Sequence, residues 1–218
     1  MMDLPSSPLG ELDPQFEKLG LEVAAFTFGL PGTSLREKLL QTVTLDICRA
    51  HLGLAFRMHV TAATMHGVTY AELLAAIRFV APYSGYPAAA DALARLTEIA
   101  AEIGLDTSDL GEQPETGAVN DAAGRRDIAD EWTAEFVDWQ LSRAWSEDLL
   151  SRRERAIMAL TSDVGQRDLD ESLRRHAELA LDAGLSADDV RDVIRFCAEY
   201  GIGRAAAALR ALDDVLVG

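Results

Sequence analysis

The sequence predicts an all-α fold made of two similar helical units. Apolar residues recur at helical spacing along most of the chain, and Ser/Thr-x-x-Glu tetrads mark several helix starts. Residues 34–93 align without a gap with residues 151–210, at a constant offset of 117. That period is too long for a solenoid and indicates a duplicated unit. The alternation of apolar and polar residues that is typical of strands is missing from the sequence.

The first unit should contain five helices. Ser34 and Thr69 each precede a glutamate by three residues, which predicts a capping box at the start of a helix. Pro82 and Pro87 should bracket a bend, because proline cannot donate a helical hydrogen bond. The predicted helices are residues 16–28, the helix that Ser34 caps, residues 56–66, the helix that Thr69 caps, and residues 88–103.

The second unit should repeat this order after a polar linker. Residues 106–124 contain three glycines and one proline and no apolar stripe. We therefore expect a first unit at residues 1–105, a linker at 106–124 and a second unit at 125–218. The second unit opens with a helical stripe, and Ser151 and Ser186 should cap two of its later helices. That stripe consists of Ile128, Trp132, Phe136 and Trp139.

Composition excludes several classes of partner and site. The formal net charge is −16, and an acidic chain without a basic run is a poor binder of nucleic acid. No apolar run is long enough to span a membrane and the N-terminus does not resemble a secretory signal, so we expect a cytoplasmic protein. Cys48 and Cys197 are far apart, and no Cys/His cluster has zinc spacing. His59 and His66 lie seven residues apart, so no helical metal pair is expected.

Several motifs together resemble the carboxymuconolactone decarboxylase family, also called alkylhydroperoxidase-D-like. The family pattern has a helix that opens with Arg-Glu, then a histidine, a Gly-Val-Thr turn and a Tyr-x-Gly-x-Pro-Ala corner. The first unit matches at Arg36-Glu37, His59, Gly67-Val68-Thr69 and 83–88. The second unit matches at Arg153-Glu154, His176, Gly184-Leu185-Ser186 and Tyr200-Gly201, less closely at the last three.

This resemblance implies an all-α fold with two tandem alkylhydroperoxidase-D-like units and a pocket beside the histidine. Single-domain members assemble as trimers or hexamers, so three copies of a duplicated chain would rebuild a six-unit ring. Peroxidase members of the family carry a CxxC before the histidine. Leu52 and Ala55 occupy those positions here, as do Leu169 and Ser172 in the second unit. Without that thiol pair, disulfide peroxidase chemistry is not expected.

His59 is the leading catalytic candidate, and His176 is its counterpart in the second unit. An imidazole can hold or release a proton near neutral pH, which suits general acid/base work without a cofactor. A core histidine is the alternative for His59, and a degenerate site or a surface residue is the alternative for His176. Residues around these two are candidates for substrate binding: Phe56 and Met58 as a dry wall, His66 as a second acid, Arg78 and Arg195 for a carboxylate, and Tyr83 and Tyr86 for an enolate oxygen.

Each of these candidates also has a structural explanation. Arg78 and Arg195 could instead pair with Asp46 and Asp163, which are duplicated too. The leading hypothesis is a cofactor-independent lyase or isomerase/cyclase of specialised metabolism that acts on a small organic acid or lactone and forms a homotrimer. A non-catalytic scaffold that binds through the Trp132–Trp145 face is the alternative. A peroxidase that uses single cysteines is the third hypothesis.

Overall fold

The described parts of the chain consist of helices and the turns between them. The computed structural model describes residues 8–111 and 130–217, so residues 112–124 of the predicted linker, and Ile128, lie outside it. Within those ranges the elements are α1 (Pro8–Leu12), α2 (Pro14–Phe28), α3 (Leu35–Cys48), α4 (Leu54–Met65), α5 (Tyr70–Ser84), α6 (Tyr86–Ile103), α7 (Glu131–Trp145), α8 (Arg152–Gln166), α9 (Glu171–Asp182), α10 (Ala187–Phe196), the 3₁₀ turn Cys197–Tyr200 and α11 (Ile202–Val217). None of these helices is long and apolar enough to cross a membrane.

The duplication is visible in the order of the helices. Helices α2 to α5 begin 117 residues before helices α7 to α10, respectively, and α6 precedes α11 by 116. The 3₁₀ turn Cys197–Tyr200 takes the place of the last turn of α5. The predicted all-α fold with two similar helical units is therefore confirmed.

Capping boxes start four of the helices, two in each unit. Ser34 accepts a hydrogen bond from the Glu37 backbone while the Glu37 side chain accepts one from the Ser34 backbone N–H, and Ser151 and Glu154 do the same. Thr69 caps α5 with Glu72, and Ser186 caps α10 with Asp189. Each box satisfies backbone donors that would otherwise lack a partner at a helix start. All four predicted caps are confirmed.

The predicted bend between Pro82 and Pro87 is present, but Gly85 makes it and Pro82 does not. Helix α5 continues through Pro82 and ends at Ser84, and the break lies at Gly85, whose φ is 86°. A residue without Cβ adopts that backbone conformation easily, so the glycine turns the chain. Pro87 then sits in the first turn of α6, where its missing N–H leaves no hydrogen bond unmade.

Helices α3 and α8 lie side by side at the centre and join the two units. The first apolar core includes Met158 and Ala159 of α8, and the second includes Leu45 of α3. Buried polar side chains on α3 bond within the protein: Gln41 donates to Thr161 Oγ1 at 3.0 Å and to the Val193 carbonyl oxygen at 3.1 Å. The two units therefore share one interior.

Two reciprocal ion pairs close the boundary between the units. Arg36 Nε donates to Glu154 Oε1 at 2.6 Å, and Arg153 Nε donates to Glu37 Oε1 at 2.7 Å. Both glutamates are also the capping residues of α3 and α8. The exchange of equivalent partners shows that the units are related by an approximate two-fold axis.

Candidate active site

The first candidate site joins Asp46 near the end of α3 to His59 on α4. Asp46 is fully buried, and its Oδ2 lies 2.6 Å from His59 Nδ1. A carboxylate oxygen can only accept, so Nδ1 carries the proton in this pair. The pair leaves Nε2 as the nitrogen available for proton exchange, and the His59 side chain is 22% exposed. This Asp–His arrangement is one that proteins use to orient an imidazole and to stabilise its charged form.

Tyr200 of the second unit completes this site. Its hydroxyl lies 3.1 Å from Asp46 Oδ1, to which it donates, and 3.2 Å from His59 Nδ1. Burial raises the pKa of Tyr200 well above its ordinary value, and the charges of Asp46 and Glu199 raise it further. The phenol therefore keeps its proton and acts as a donor.

A second Asp–His pair occupies the matching place in the other unit. Asp163 Oδ2 lies 2.7 Å from His176 Nδ1, and Ser172 Oγ donates to Asp163 Oδ1 at 2.7 Å. The ring of Tyr83, from the first unit, packs edge-on against the His176 ring with centroids 5.4 Å apart. Each histidine thus meets the corner tyrosine of the opposite unit.

His176 in the second site is buried, whereas His59 in the first site is partly exposed to solvent. The His176 side chain is 3% exposed, against 22% for His59. Trp145 stacks on His176 with centroids 6.3 Å apart, and its Nε1 donates to the Tyr83 hydroxyl at 2.9 Å. Phe28 stands at the matching position of the first unit and cannot make that hydrogen bond. Trp145 therefore covers His176 and ties down Tyr83.

Burial also changes the pKa of Asp163 in the second site. Desolvation raises the pKa of Asp163, while the His176 charge and the hydrogen bonds from His176 and Ser172 lower it, with a net rise. The pair is held inside the protein by hydrogen bonds to Asp163. This environment is typical of a structural polar cluster rather than a site that exchanges protons with a ligand.

The duplicated arginines do not lie near the duplicated aspartates. Arg78 donates to Glu147 Oε2 at 3.2 Å and to the Leu110 carbonyl oxygen at 3.3 Å. Arg195 donates to Asp192 Oδ1 at 2.7 Å. The expected pairing with Asp46 and Asp163 is therefore wrong, because the histidines occupy those carboxylates.

Tyr86 lies away from both histidines. Its hydroxyl donates to Gln140 Oε1 at 2.7 Å, between the start of α6 and α7. Tyr86 and Arg78 both line a groove of about 310 Å³ between α5, α6 and α7, and neither histidine is among its lining residues. The structure therefore groups these two candidates with each other and not with His59.

The remaining candidates on α4 have different surroundings. Phe56 is fully buried in the first core, so it supports α4 from inside. Met58 is half-buried, and His66 is exposed at the C-cap of α4, two helical turns from His59. His51 is exposed, and its ring lies parallel to that of Tyr200 with centroids 6.4 Å apart.

Sequence reasoning missed the roles of three residues: Asp46, Tyr200 and Glu199. The duplication contained the signal for the first two, since an aspartate, a histidine and a tyrosine recur together at the same offset. Glu199 has no counterpart, because Pro82 stands at its matching position. Its Oε2 accepts a hydrogen bond from Thr27 Oγ1 at 2.9 Å, and its charge interacts with His59.

Both cysteines are buried free thiols. Burial raises the pKa of Cys48 to about 12 and raises that of Cys197 as well. A thiol becomes a good nucleophile only as the thiolate, so neither cysteine is activated at neutral pH. In the described ranges, no group of three His, Cys, Asp or Glu residues could hold a metal ion.

Comparison with known families agrees with the duplicated architecture. The model of the carboxymuconolactone decarboxylase family matches the chain twice, at residues 14–98 and 130–214. The chain belongs to the carboxymuconolactone decarboxylase family. The first match covers α2 to α6 and the second covers α7 to α11, except for the C-terminal ends of α6 and α11. This carboxymuconolactone decarboxylase family member therefore has two tandem family units. No curated protein matches the sequence significantly.

Proposed function

We propose that this protein is a cofactor-independent lyase or isomerase/cyclase in which His59 is the general acid/base. The observation that carries the proposal is the orientation of the His59 ring. Nδ1 is held by buried Asp46, while Nε2 remains available on a partly exposed side chain. The substrate class is a small organic acid or lactone, in keeping with the decarboxylase reaction after which the family is named.

The arrangement around His59 fits both loss of carbon dioxide and proton relocation. In decarboxylation the C–C bond to the carboxylate breaks, and its electron pair forms an enolate that needs a proton at carbon. The His59 imidazolium would donate that proton from Nε2, and the Asp46 carboxylate would stabilise the charged ring beforehand. In isomerisation or ring closure, neutral His59 would first remove a proton from carbon.

His176 takes no direct part in this proposal. Its ring lies beneath Trp145 and against Tyr83, so a substrate atom has no path to it without displacing aromatic side chains. We assign His176 and Asp163 a structural role in the second unit. The two histidines therefore provide a matched pair of variants for testing the function.

The test compares His59→Gln with His176→Gln on one substrate panel. The panel contains carboxymuconolactone, related unsaturated lactones and small β-keto acids, assayed for carbon dioxide release and for deuterium uptake from D₂O. We expect His59→Gln to lower kcat/KM by about 10²–10⁴-fold, the usual contribution of a general acid/base. His176→Gln should retain turnover and lose thermal stability. Full activity in folded His59→Gln would exclude the proposal.

A non-catalytic scaffold is the second candidate function, and it would use an exposed aromatic surface on α7. Trp132, Phe136 and Trp139 form an exposed aromatic row on α7, with the Trp132 and Phe136 rings stacked 5.2 Å apart. We propose that this row contacts other copies of the chain in a homotrimer, which is compatible with catalysis at His59. The scaffold would be favoured if wild type and His59→Gln bound the panel compounds with equal affinity and neither variant turned any of them over.

The single-cysteine peroxidase receives no support from the buried thiols. Peroxide reduction in wild type that disappears in a folded Cys48→Ser/Cys197→Ser variant would reinstate it. We expect the variant to match wild type on the substrate panel.

A further inference from the structure

Glu199 is an acidic group that only the His59 site has. It lies in the 3₁₀ turn directly before Tyr200, whose hydroxyl is 3.2 Å from His59 Nδ1. The matching residue of the first unit is Pro82, so the His176 site contains no equivalent carboxyl. The two sites therefore differ by a titratable side chain as well as by exposure.

The Glu199 carboxyl accepts a hydrogen bond at one of its two oxygens. Thr27 Oγ1 on α2 donates to Oε2 at 2.9 Å, and the Thr27 hydroxyl can alternatively donate to the Val23 or Ala24 carbonyl oxygen. Oε1 makes no hydrogen bond with the described residues, and Glu199 is half-buried. Among the described residues, Thr27 is therefore the one hydrogen-bond donor to this carboxyl.

The surroundings of Glu199 raise the pKa of its carboxyl, and burial is the largest cause. Burial raises the pKa of Glu199; the Thr27 hydrogen bond and the His59 charge on α4 lower it, and the Asp46 carboxylate on α3 raises it, with a net rise. No arginine or lysine of the described chain forms an ion pair with it. The arginines that flank the turn in sequence have other partners: Arg195 of α10 bonds to Asp192, and Arg204 of α11 bonds to the Gly165 carbonyl oxygen.

Other titratable groups near the turn are also accounted for. Asp163 of α8 pairs with His176 in the closed site, and His51 stacks on the Tyr200 ring from the loop after α3. Tyr200 keeps its proton because its pKa is raised. His59 and Asp46 are therefore the charged groups that act on Glu199 from the site itself.

We propose that Glu199 is a second proton-transfer residue of the His59 site, which donates its proton to a carbonyl oxygen of the substrate while His59 takes one from carbon. This inference rests on the proposed function and narrows its reaction class. A simple decarboxylation needs one proton donor at carbon. An acid and a base together suit proton relocation or ring closure in an unsaturated lactone or carbonyl acid.

The step balances without an added reagent. His59 Nε2 removes a proton from the carbon next to a carbonyl, and the C–H electron pair forms a C=C bond. The carbonyl π pair moves to oxygen, which receives the Glu199 proton and gives a neutral dienol. The imidazolium then protonates the distal carbon while the dienol O–H proton returns to the Glu199 carboxylate. The net change is a hydrogen moved from one carbon to another.

The test uses three variants of the full chain, Glu199→Gln, Thr27→Val and the control Glu72→Gln, whose carboxyl lies at the capping box of α5. Deuterium uptake by the lactone and keto-acid panel is followed against pH. In wild type, kcat/KM should fall on the alkaline side as Glu199 loses its proton. Glu199→Gln should lower kcat/KM by about 100-fold and abolish that alkaline limb.

Thr27→Val separates a proton-transfer role from a structural one. Removing the hydroxyl takes away a donor that stabilises the Glu199 carboxylate, so the alkaline limb should move to higher pH while activity at lower pH is kept. Glu72→Gln should leave the profile in place. Carbon-13 NMR of glutamate carboxyls, assigned with Glu199→Gln, gives a readout that needs no substrate.

The outcomes distinguish this inference from the function it rests on. Titration of Glu199 at an ordinary glutamate pKa, or a wild-type pH profile in Glu199→Gln, would overturn the role of Glu199 and leave His59 as the general acid/base. Full activity in His59→Gln would overturn both. An alkaline limb that is lost in Glu199→Gln and shifted in Thr27→Val would establish it.

Discussion

The Tyr200 hydroxyl lies 3.2 Å from His59 Nδ1, so a residue of the second unit completes the candidate site of the first. The equivalent contact in the second site is the Tyr83 ring against the His176 ring. The duplication produces both contacts, but the residues that surround them differ. The matched residues of the two sites let each side chain be tested against its counterpart.

Asp46→Asn should reduce turnover more than Asp163→Asn does. A neutral amide in place of Asp46 can still accept from Nδ1 but no longer stabilises a charged His59 ring, so kcat should fall by about 100-fold. Asp163→Asn removes a carboxylate from a closed cluster and should instead lower the free energy of unfolding by about 1–3 kcal/mol. Steady-state kinetics and urea unfolding of both variants check this. Equal kinetic losses would contradict the assignment of one active site.

Tyr200→Phe and Tyr83→Phe should also have different effects. Tyr200→Phe leaves Asp46 Oδ1 without its donor, so we expect about a tenfold loss of kcat/KM and a destabilisation of about 1–2 kcal/mol. Tyr83→Phe leaves the Trp145 indole N–H without that acceptor and should lower stability by a similar amount while activity is kept. The measurements are kcat/KM and the midpoint of chemical unfolding. A kinetic defect confined to Tyr83→Phe would refute the proposed difference.

The helices could be predicted because their signals are local. The capping boxes at Ser34 and Ser151 each depend on four consecutive residues. Because the unit is duplicated, the same signal occurs twice in the sequence and supports each helix assignment. Pro82 shows the limit of this reasoning. Helix α5 continues through that proline to Ser84, and Gly85 is the residue that ends it.

The site could be predicted only in part because its contacts join distant segments. The family resemblance identifies His59 as a candidate, but the sequence does not identify its partner, because Arg78 is the residue expected to pair with Asp46. Glu147, which pairs with Arg78, lies 69 residues away in sequence, and Tyr200 lies 141 residues from His59. Such contacts depend on how the two units dock, which no local pattern contains.

The Arg36–Glu72 pair should make stability depend on pH. Burial alone would raise the pKa of Glu72, but the hydrogen bonds from Arg36 and from the Thr69 backbone N–H lower it overall. A carboxyl with a lowered folded-state pKa adds stability above its unfolded pKa and loses it as the pH falls through the folded value. Glu72→Gln should therefore be less stable than wild type at pH 7, by no more than about 1 kcal/mol for this partly exposed pair.

The difference should shrink below about pH 4, where wild-type Glu72 also becomes neutral. Urea unfolding at several pH values measures it, and Arg36→Gln serves as the partner control. A difference that grows on acidification would contradict the sign of this prediction.

The aromatic row on α7 should hold copies of the chain together. We expect a homotrimer of about 71 kDa, three chains of 23.6 kDa, in sedimentation or light scattering. Trp132 is 69% exposed and Trp139 is 53% exposed, so lysine at both positions should yield a folded monomer. Met65→Lys replaces a similarly exposed apolar residue on α4 and should leave the mass unchanged. A wild-type monomer would refute the assembly.

Joining the two units in one chain releases them from a constraint that identical subunits cannot escape. In a symmetric pair of separate chains, a serine at the position of Ala55 would enter both sites at once. Here Ser172 stands in one site and Ala55 in the other, as Trp145 and Phe28 do. Mutations can therefore bury one histidine while the other stays partly exposed. Covalent fusion thus permits a division of labour between two copies that began with the same plan.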